Sequence, residues 1–134
     1  MGAKRILAVE NNDLVLSFLE AGLMTAGYDV DTASNGREAL EKIDRRSYDL
    51  IISDVNMPEL DGLSLCRALG ERRCHDLRRF LLLTGSDAIS DHAAYLAESG
   101  VRAVAKPVGL EDLRGIVERM IREPQATGSA ADRA

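Results

Sequence analysis

Residues 50–62 read Leu50-Ile51-Ile52-Ser53-Asp54-Val55-Asn56-Met57-Pro58-Glu59-Leu60-Asp61-Gly62. Three consecutive aliphatics with no polar alternation describe a strand covered on both faces, because a sheet with one wet face alternates apolar with polar. The run stops at Ser53-Asp54, Pro58 sets a loop after it, and Asp61-Gly62 opens a helix that extends to about Glu71. A buried strand ending on a carboxylate and then turning into a helix is the unit that organises the whole chain.

Working outward, Ile6-Leu7-Ala8-Val9 is a second continuous apolar run. After it Leu14, Val15, Phe18, Leu19, Leu23 and Met24 recur at helical spacing, with Asn12 or Asp13 as cap and Gly27 as stop. From Tyr28 to Ala33 apolar residues alternate with Asp29 and Asp31, which suits an exposed edge strand. Asn35 followed by Glu38 resembles a capping box for a helix running to about Arg46. On the other side, Phe80 to Leu83 is a third apolar run, ending at Thr84-Gly85. A helix from about Asp91 to Ser99 precedes Gly100, Val101 to Ala105 reads as the last strand, and Leu110, Leu113, Val117, Met120 and Ile121 mark the final amphipathic helix.

Five strand–helix units with short joins predict an α/β fold, a doubly wound parallel sheet of five strands with five helices on its two faces. The edge character of the second strand favours the flavodoxin-like order 2-1-3-4-5 over a barrel or a six-stranded Rossmann sheet. Residues 1–122 are expected to form this one domain. Residues 123–134, rich in Pro, Gly, Ser and Ala and without an apolar stripe, are expected to be a flexible tail or linker.

Composition agrees. The chain has 134 residues, enough for one domain, with 46% hydrophobic and 29% charged side chains. Its net charge of −5 argues against a direct nucleic-acid binder, which needs a basic face. No apolar run is long enough for a membrane span or a signal peptide, and two cysteines without a CxxC or zinc spacing make no disulfide framework. A cytoplasmic protein is expected.

In doubly wound sheets the chemistry sits at the carboxyl ends of the strands. Those ends carry Glu10-Asn11-Asn12, Asp54, Thr84 and Lys106-Pro107. Carboxylates, a hydroxyl and an ammonium converging on one rim make a phosphate-and-magnesium site. Magnesium takes hard oxygen ligands, a carboxylate can attack phosphorus, and a cation with a hydroxyl can stabilise the transferring group.

These residues carry a resemblance. The chain over about residues 4–122 resembles a two-component response-regulator receiver domain of the single-domain, CheY-like type. Asp54 to Gly62 reproduces that family's D-x-x-M-P-x-x-D-G loop, with Thr84 and Lys106-Pro107 at matching distances downstream. The resemblance implies that Asp54 is the phosphoacceptor, Thr84 the switch hydroxyl and Lys106 the partner of the phosphate. It implies Mg2+ held by Glu10, Asn11, Asp54 and the main-chain carbonyl of Asn56, and a cis bond between Lys106 and Pro107. A histidine kinase or phosphotransfer protein would supply the phosphoryl group and a downstream protein would read the changed surface, with no nucleic acid or membrane involved. The protein would be a monomer or weak dimer, and not an enzyme beyond its own phosphorylation and hydrolysis.

Two positions depart from the family pattern. Asn11 stands where the family carries the second acid after the first strand, which lowers the charge at the metal and should weaken its binding; Glu10, one methylene longer than Asp, is the alternative ligand. Ala103 stands where the family has an aromatic ring three residues before the lysine, and Tyr95, on a helix, reads as half-buried packing. A pseudo-receiver, an interaction module with weak or no phosphorylation, is the alternative these departures raise. A flavodoxin or haloacid-dehalogenase phosphatase is disfavoured by the lack of a P-loop or GxGxxG and by Asn56 at the place of that phosphatase's second Asp. The basic residues Arg67, Arg72, Arg73, Arg78 and Arg79 read as a solvated cluster at the third helix, His75 as a surface loop residue, Cys66 as helix packing and Cys74 as a loop thiol. Asp61 and Gly62 read as cap and turn.

Overall fold

The computed structural model describes residues 3–55, 60–72, 75–84, 91–106 and 109–122. The expected tail at 123–134, Asn56, Arg73, Cys74 and the Lys106-Pro107 bond lie outside the described residues or depend on them. The strands are β1 (Arg5–Val9), β2 (Asp29–Ala33), β3 (Leu50–Asp54), β4 (Phe80–Thr84) and β5 (Arg102–Ala105). They form one sheet in the order β2-β1-β3-β4-β5, with every neighbouring pair parallel. Around it pack α1 (Asp13–Thr25), α2 (Gly36–Arg45), α3 (Gly62–Arg72), α4 (Ala93–Ser99) and α5 (Leu110–Arg122), with a 3-10 turn at Leu77–Arg79.

Alternation along the strands divides the core between the two faces. Leu7, Val9, Ile51, Phe80 and Leu82 point to the side where α2 and α3 bring Ala39, Ile43, Leu65, Cys66 and Leu69. Ile6, Leu50, Ile52, Leu81 and Leu83 point to the other, against Leu19 and Leu23 of α1 and Leu113, Val117 and Met120 of α5. All five residues of β3 and of β4 are buried, which is why both read as unbroken apolar runs. Truncating a leucine in either layer to alanine should cost about 2–5 kcal/mol.

Local chemistry sets the helix starts. Asn12 caps α1, its side-chain oxygen accepting from the main-chain N–H of Leu14 and Val15. Asn35 caps α2 through the N–H of Glu38, while the Glu38 carboxylate turns back to the N–H and hydroxyl of Ser34. Asp61 caps α3 through the N–H of Ser64. Gly27 and Gly100 end α1 and α4 at φ of 102° and 85°, a left-handed backbone that disfavours any side chain.

The apolar series on α1 is not all core: Leu19 and Leu23 are buried, but Leu14 is 83% exposed, Phe18 59%, and Val15 and Met24 are exposed as well. Helical spacing identifies the helix, but the sheet accepts only the narrow face that carries Leu19, Gly22 and Leu23. At Gly22 the helix backbone runs tightly against Leu110, and an added Cβ would lie 2.6 Å from the Leu110 Cδ1.

Candidate functional site

Four elements deliver polar side chains to one rim. β1 runs directly into Glu10, whose N–H donates to the Ala33 carbonyl and so extends the ladder past the last strand residue. β3 ends on Asp54, which pairs with Leu83 across the sheet. β4 ends on Thr84, and the N–H of Lys106 donates to the Thr84 carbonyl at 2.7 Å, fixing the residue after β5 beside it. Ladder bonds, not side-chain contacts, therefore set the relative positions of these four residues.

The charges are compact. Lys106 Nζ lies 2.9 Å from Asp54 Oδ1 and 3.9 Å from Glu10 Oε1. Both carboxylates are buried, whereas the lysine side chain keeps 40% of its surface. Glu10 spends Oε2 on the N–H of Asn12, and its Oε1 is buried with no hydrogen bond. The Thr84 hydroxyl is likewise buried with no partner. Unpartnered buried oxygens are costly, about 1–3 kcal/mol each. An oxygen-seeking cation and a phosphoryl group are the species that would relieve them.

Asn11 is exposed and makes no side-chain hydrogen bond among the described residues, so of the expected cluster the structure gathers Glu10, Asp54, Thr84 and Lys106 and leaves Asn11 at the edge. Asn56 lies outside the described residues. Two glycines, which the sequence reading treated as turn residues or passed over, shape the site. A Cβ on Gly62 would strike the Asp54 carbonyl oxygen and lie 2.9 Å from Leu82 Cδ2. A Cβ on Gly36 would strike the carbonyl of Leu60, to which the Gly36 N–H donates at 3.0 Å. The signal available in sequence was a glycine just inside a capped helix start, where no positive φ is needed and only close approach explains it.

Two minor expectations are corrected. His75 is no free surface residue: its Nε2 sits 2.9 Å from the Arg79 carbonyl, and burial holds the imidazole below its ordinary value of 6.5. The arginine cluster is dispersed, with Arg79 buried, Arg72 bonded to Asp44, and Arg67 lying 4.9 Å over the Tyr95 ring. Cys66 is fully buried in the core, where burial first of all pushes its thiol up. Tyr95 is half-buried and packs, as Ala103 does, against the core cluster on the α2–α3 side of the sheet.

With this geometry the comparisons with known proteins agree. The family description "response regulator receiver domain" matches residues 6–118. The chain belongs to the response regulator receiver domain family. This receiver domain is 36% identical over 126 residues to response regulator MprA of Mycobacterium leprae, and 30% identical over 129 residues to the alkaline phosphatase synthesis transcriptional regulatory protein PhoP of Bacillus subtilis. The matches cover 94% and 96% of the chain but 54% and 53% of those proteins, so the chain spans about half the length of the curated relatives it matches. Among solved structures, the chemotaxis response regulator CheY4 of Vibrio cholerae superposes with a TM-score of 0.80 at 30% identity, covering 88% of this chain and 98% of that one. The receiver domain of a sensor histidine kinase from Pseudomonas aeruginosa, solved with magnesium coordinated in its active-site cleft, gives 0.75 at 29% identity, covering 91% and 100%.

The donor set of this receiver domain fits such an ion in part. Among the described residues no group of three or more His, Cys, Asp or Glu side chains stands ready to enclose a metal. Glu10 and Asp54 supply two carboxylates, and the unpartnered Oε1 of Glu10 is a hard oxygen without a proton donor. Magnesium commonly takes one or two carboxylates and completes its shell with water and phosphate oxygens. No helix among the described residues is long and apolar enough to cross a membrane.

Proposed function

We propose that this receiver domain accepts a phosphoryl group from a protein phosphohistidine on Asp54, and that Glu10, Thr84 and Lys106 serve that transfer. The observation that carries the reading is the buried Asp54 carboxylate at the end of β3, with Lys106 Nζ at 2.9 Å and the unpartnered oxygens of Glu10 and Thr84 on the same rim. Lys106 engages Oδ1 and leaves Oδ2 to attack phosphorus in line. The Oδ2–P bond forms as the P–N bond to the donor imidazole breaks, and the imidazole leaves with the bonding pair and takes up a proton.

Each side chain has a distinct task. Lys106 offsets the carboxylate before transfer and a phosphoryl oxygen after it. The Thr84 hydroxyl donates to another phosphoryl oxygen, gaining the partner it lacks. Glu10, with Asp54, would hold magnesium, which supplies charge neutralisation to the transferring group. Asn11 and the Asn56 carbonyl are the remaining expected ligands. The site so formed is a signalling acceptor, and its output is an altered surface for a downstream protein.

The exposed apolar face of α1 supports a protein as donor. Val15 and Phe18 line an apolar groove of about 250 Å³ that also includes Leu83, Leu110 and Lys106, so a helix docked there lies beside the reacting rim. Large contiguous apolar exposure of this kind marks interaction surfaces.

A pseudo-receiver is the second reading, favoured by the exposed Asn11 and the two-carboxylate site. Treatment with acetyl phosphate, with and without magnesium, followed by intact mass measurement separates the two. Addition of one phosphoryl group to the wild type, dependent on magnesium and lost in Asp54→Asn, is the expected result. A wild type that stays unmodified would establish the pseudo-receiver.

A further inference from the structure

Asn35-Gly36, at the start of α2, is the one Asn-Gly pair in the chain. Asparagine is among the chemically labile residues. A glycine after it leaves the next main-chain nitrogen free of a flanking side chain, so that nitrogen can reach the asparagine Cγ and close a succinimide ring. The other asparagines lack this neighbour: Asn11, Asn12 and Asn56 precede Asn12, Asp13 and Met57.

The fold restrains both reacting groups. Asn35 Oδ1 accepts from the Glu38 N–H at 2.8 Å, which holds the side-chain amide over the first turn of α2. The Gly36 N–H, whose proton must be lost, donates to the Leu60 carbonyl at 3.0 Å. Gly36 is buried, and a Cβ there would strike that same carbonyl, so the peptide has no room to swing towards Asn35. The restraint nonetheless sits in a terminal turn whose Ser34 and Arg37 are exposed. Such turns open more readily than the core.

We infer that Asn35 is a deamidation site, and that the seat of Gly36 against Leu60 is its brake. Conversion proceeds through molecules in which the first turn of α2 has opened. Hydroxide takes the Gly36 amide proton, the nitrogen attacks Asn35 Cγ, and the Cγ–Nδ2 bond breaks. The departing nitrogen takes a proton from water, which restores the hydroxide, and leaves as ammonia. Water then opens the ring at either carbonyl, giving aspartate or isoaspartate. The two products differ in their effect. Aspartate still accepts from the Glu38 N–H and caps as well as asparagine does. Isoaspartate lengthens the main chain by one carbon beside a glycine that has no space to move.

The test is incubation of the full chain in mildly alkaline buffer, folded and in guanidinium chloride, followed by peptide mass mapping. Trypsin releases residues 6–37 as one peptide, and its fragmentation separates Asn35 from Asn11 and Asn12. Conversion at Asn35 is expected in both samples, about ten- to hundredfold slower in the folded chain. Glu38→Ala removes the carboxylate that holds the Ser34 N–H and hydroxyl but keeps the main-chain donor to Asn35. It should speed conversion severalfold in the folded protein and leave the unfolded rate unchanged. The isoaspartate product should melt below the aspartate product, which should match Asn35→Asp. Conversion confined to other asparagines, equal rates folded and unfolded, or a folded rate indifferent to Glu38→Ala would overturn the inference. So would equal melting of the two products, or a folded chain left intact after about a hundred unfolded half-times.

Discussion

The main-chain carbonyl of Asp54 and the Cα of Gly62 approach so closely that no side chain fits between them. The first residue of α3 is therefore a stop against which the end of β3 is seated. Alanine at 62 would gain about 1 kcal/mol of helix propensity over glycine. Against that, overpacking costs about 1–3 kcal/mol and pushes the Asp54 main chain aside. Gly62→Ala is expected to lower the urea midpoint and to slow labelling by acetyl phosphate roughly ten- to hundredfold. A midpoint that rises would show that the contact relaxes without consequence.

Magnesium affinity separates the roles of the two residues after β1. Glu10 carries an unpartnered buried oxygen, whereas Asn11 is exposed. Glu10→Gln should weaken binding by about 1–2 kcal/mol, or five- to thirtyfold. Asn11→Asp should tighten it by a similar factor and slightly destabilise the metal-free protein, since three clustered carboxylates repel. Calorimetry or amide shifts serve as readout because the chain has no tryptophan. Identical affinity of wild type and Asn11→Asp would place residue 11 outside the coordination sphere.

Docking can be separated from chemistry at Phe18, whose ring is 59% exposed. Phe18→Ser should change stability by no more than about 0.5 kcal/mol and leave labelling by acetyl phosphate at the wild-type rate. Transfer from a phosphorylated protein donor should fall severalfold. Equal slowing with both donors would mean that the ring supports the site itself.

Stability should decline on mild acidification through His75. Burial holds the folded imidazole below 6.5, so the unfolded chain takes up a proton that the folded one refuses. The contribution is complete above about pH 6.5 and is lost as pH falls from there through the folded value. Unfolding midpoints measured between about pH 5 and 8 should show this slope, and His75→Gln should flatten it. Glu38 and Asp31 act lower on the scale. Hydrogen bonds from Ser34 hold the Glu38 carboxyl down; for Asp31, burial works upward but is outweighed by Tyr48 and Arg46. Their contributions vanish only as pH drops through their own lowered values.

Most of the fold was legible because its signals are local. Unbroken runs at 6–9, 50–52 and 80–83 identify doubly covered strands, and the alternation at 28–33 places β2 at an edge, which decides the strand order. The positions of Asp54, Thr84 and Lys106 followed from the rule that strand ends carry the chemistry. What escaped depends on tertiary neighbours. The spacing of Leu14 and Phe18 marks a helix but not how narrow a face the sheet accepts. The glycines at 36 and 62 look like turn residues until Leu60 and Asp54 are seen against them. The burial of Arg79 and the half-burial of His75 depend on how the 3-10 turn closes over the start of β4, and no periodicity encodes that.

The ion pair between Asp54 and Lys106 also has a bearing on synthesis. The only described cation near Glu10 and Asp54 arrives just after β5, the last of the five strands in sequence and one edge of the sheet. Before β5 docks, two carboxylates must be drawn under the surface without a counter-charge, and each resists that burial. Domains made from the N-terminus pass through such partly assembled stages. A nascent chain that has completed β1, β3 and β4 thus keeps the Asp54 end of the sheet open to water. Under the proposed role of Asp54, sealing the sheet and arming the nucleophile become a single event, which would shield an unfinished protein from premature signalling.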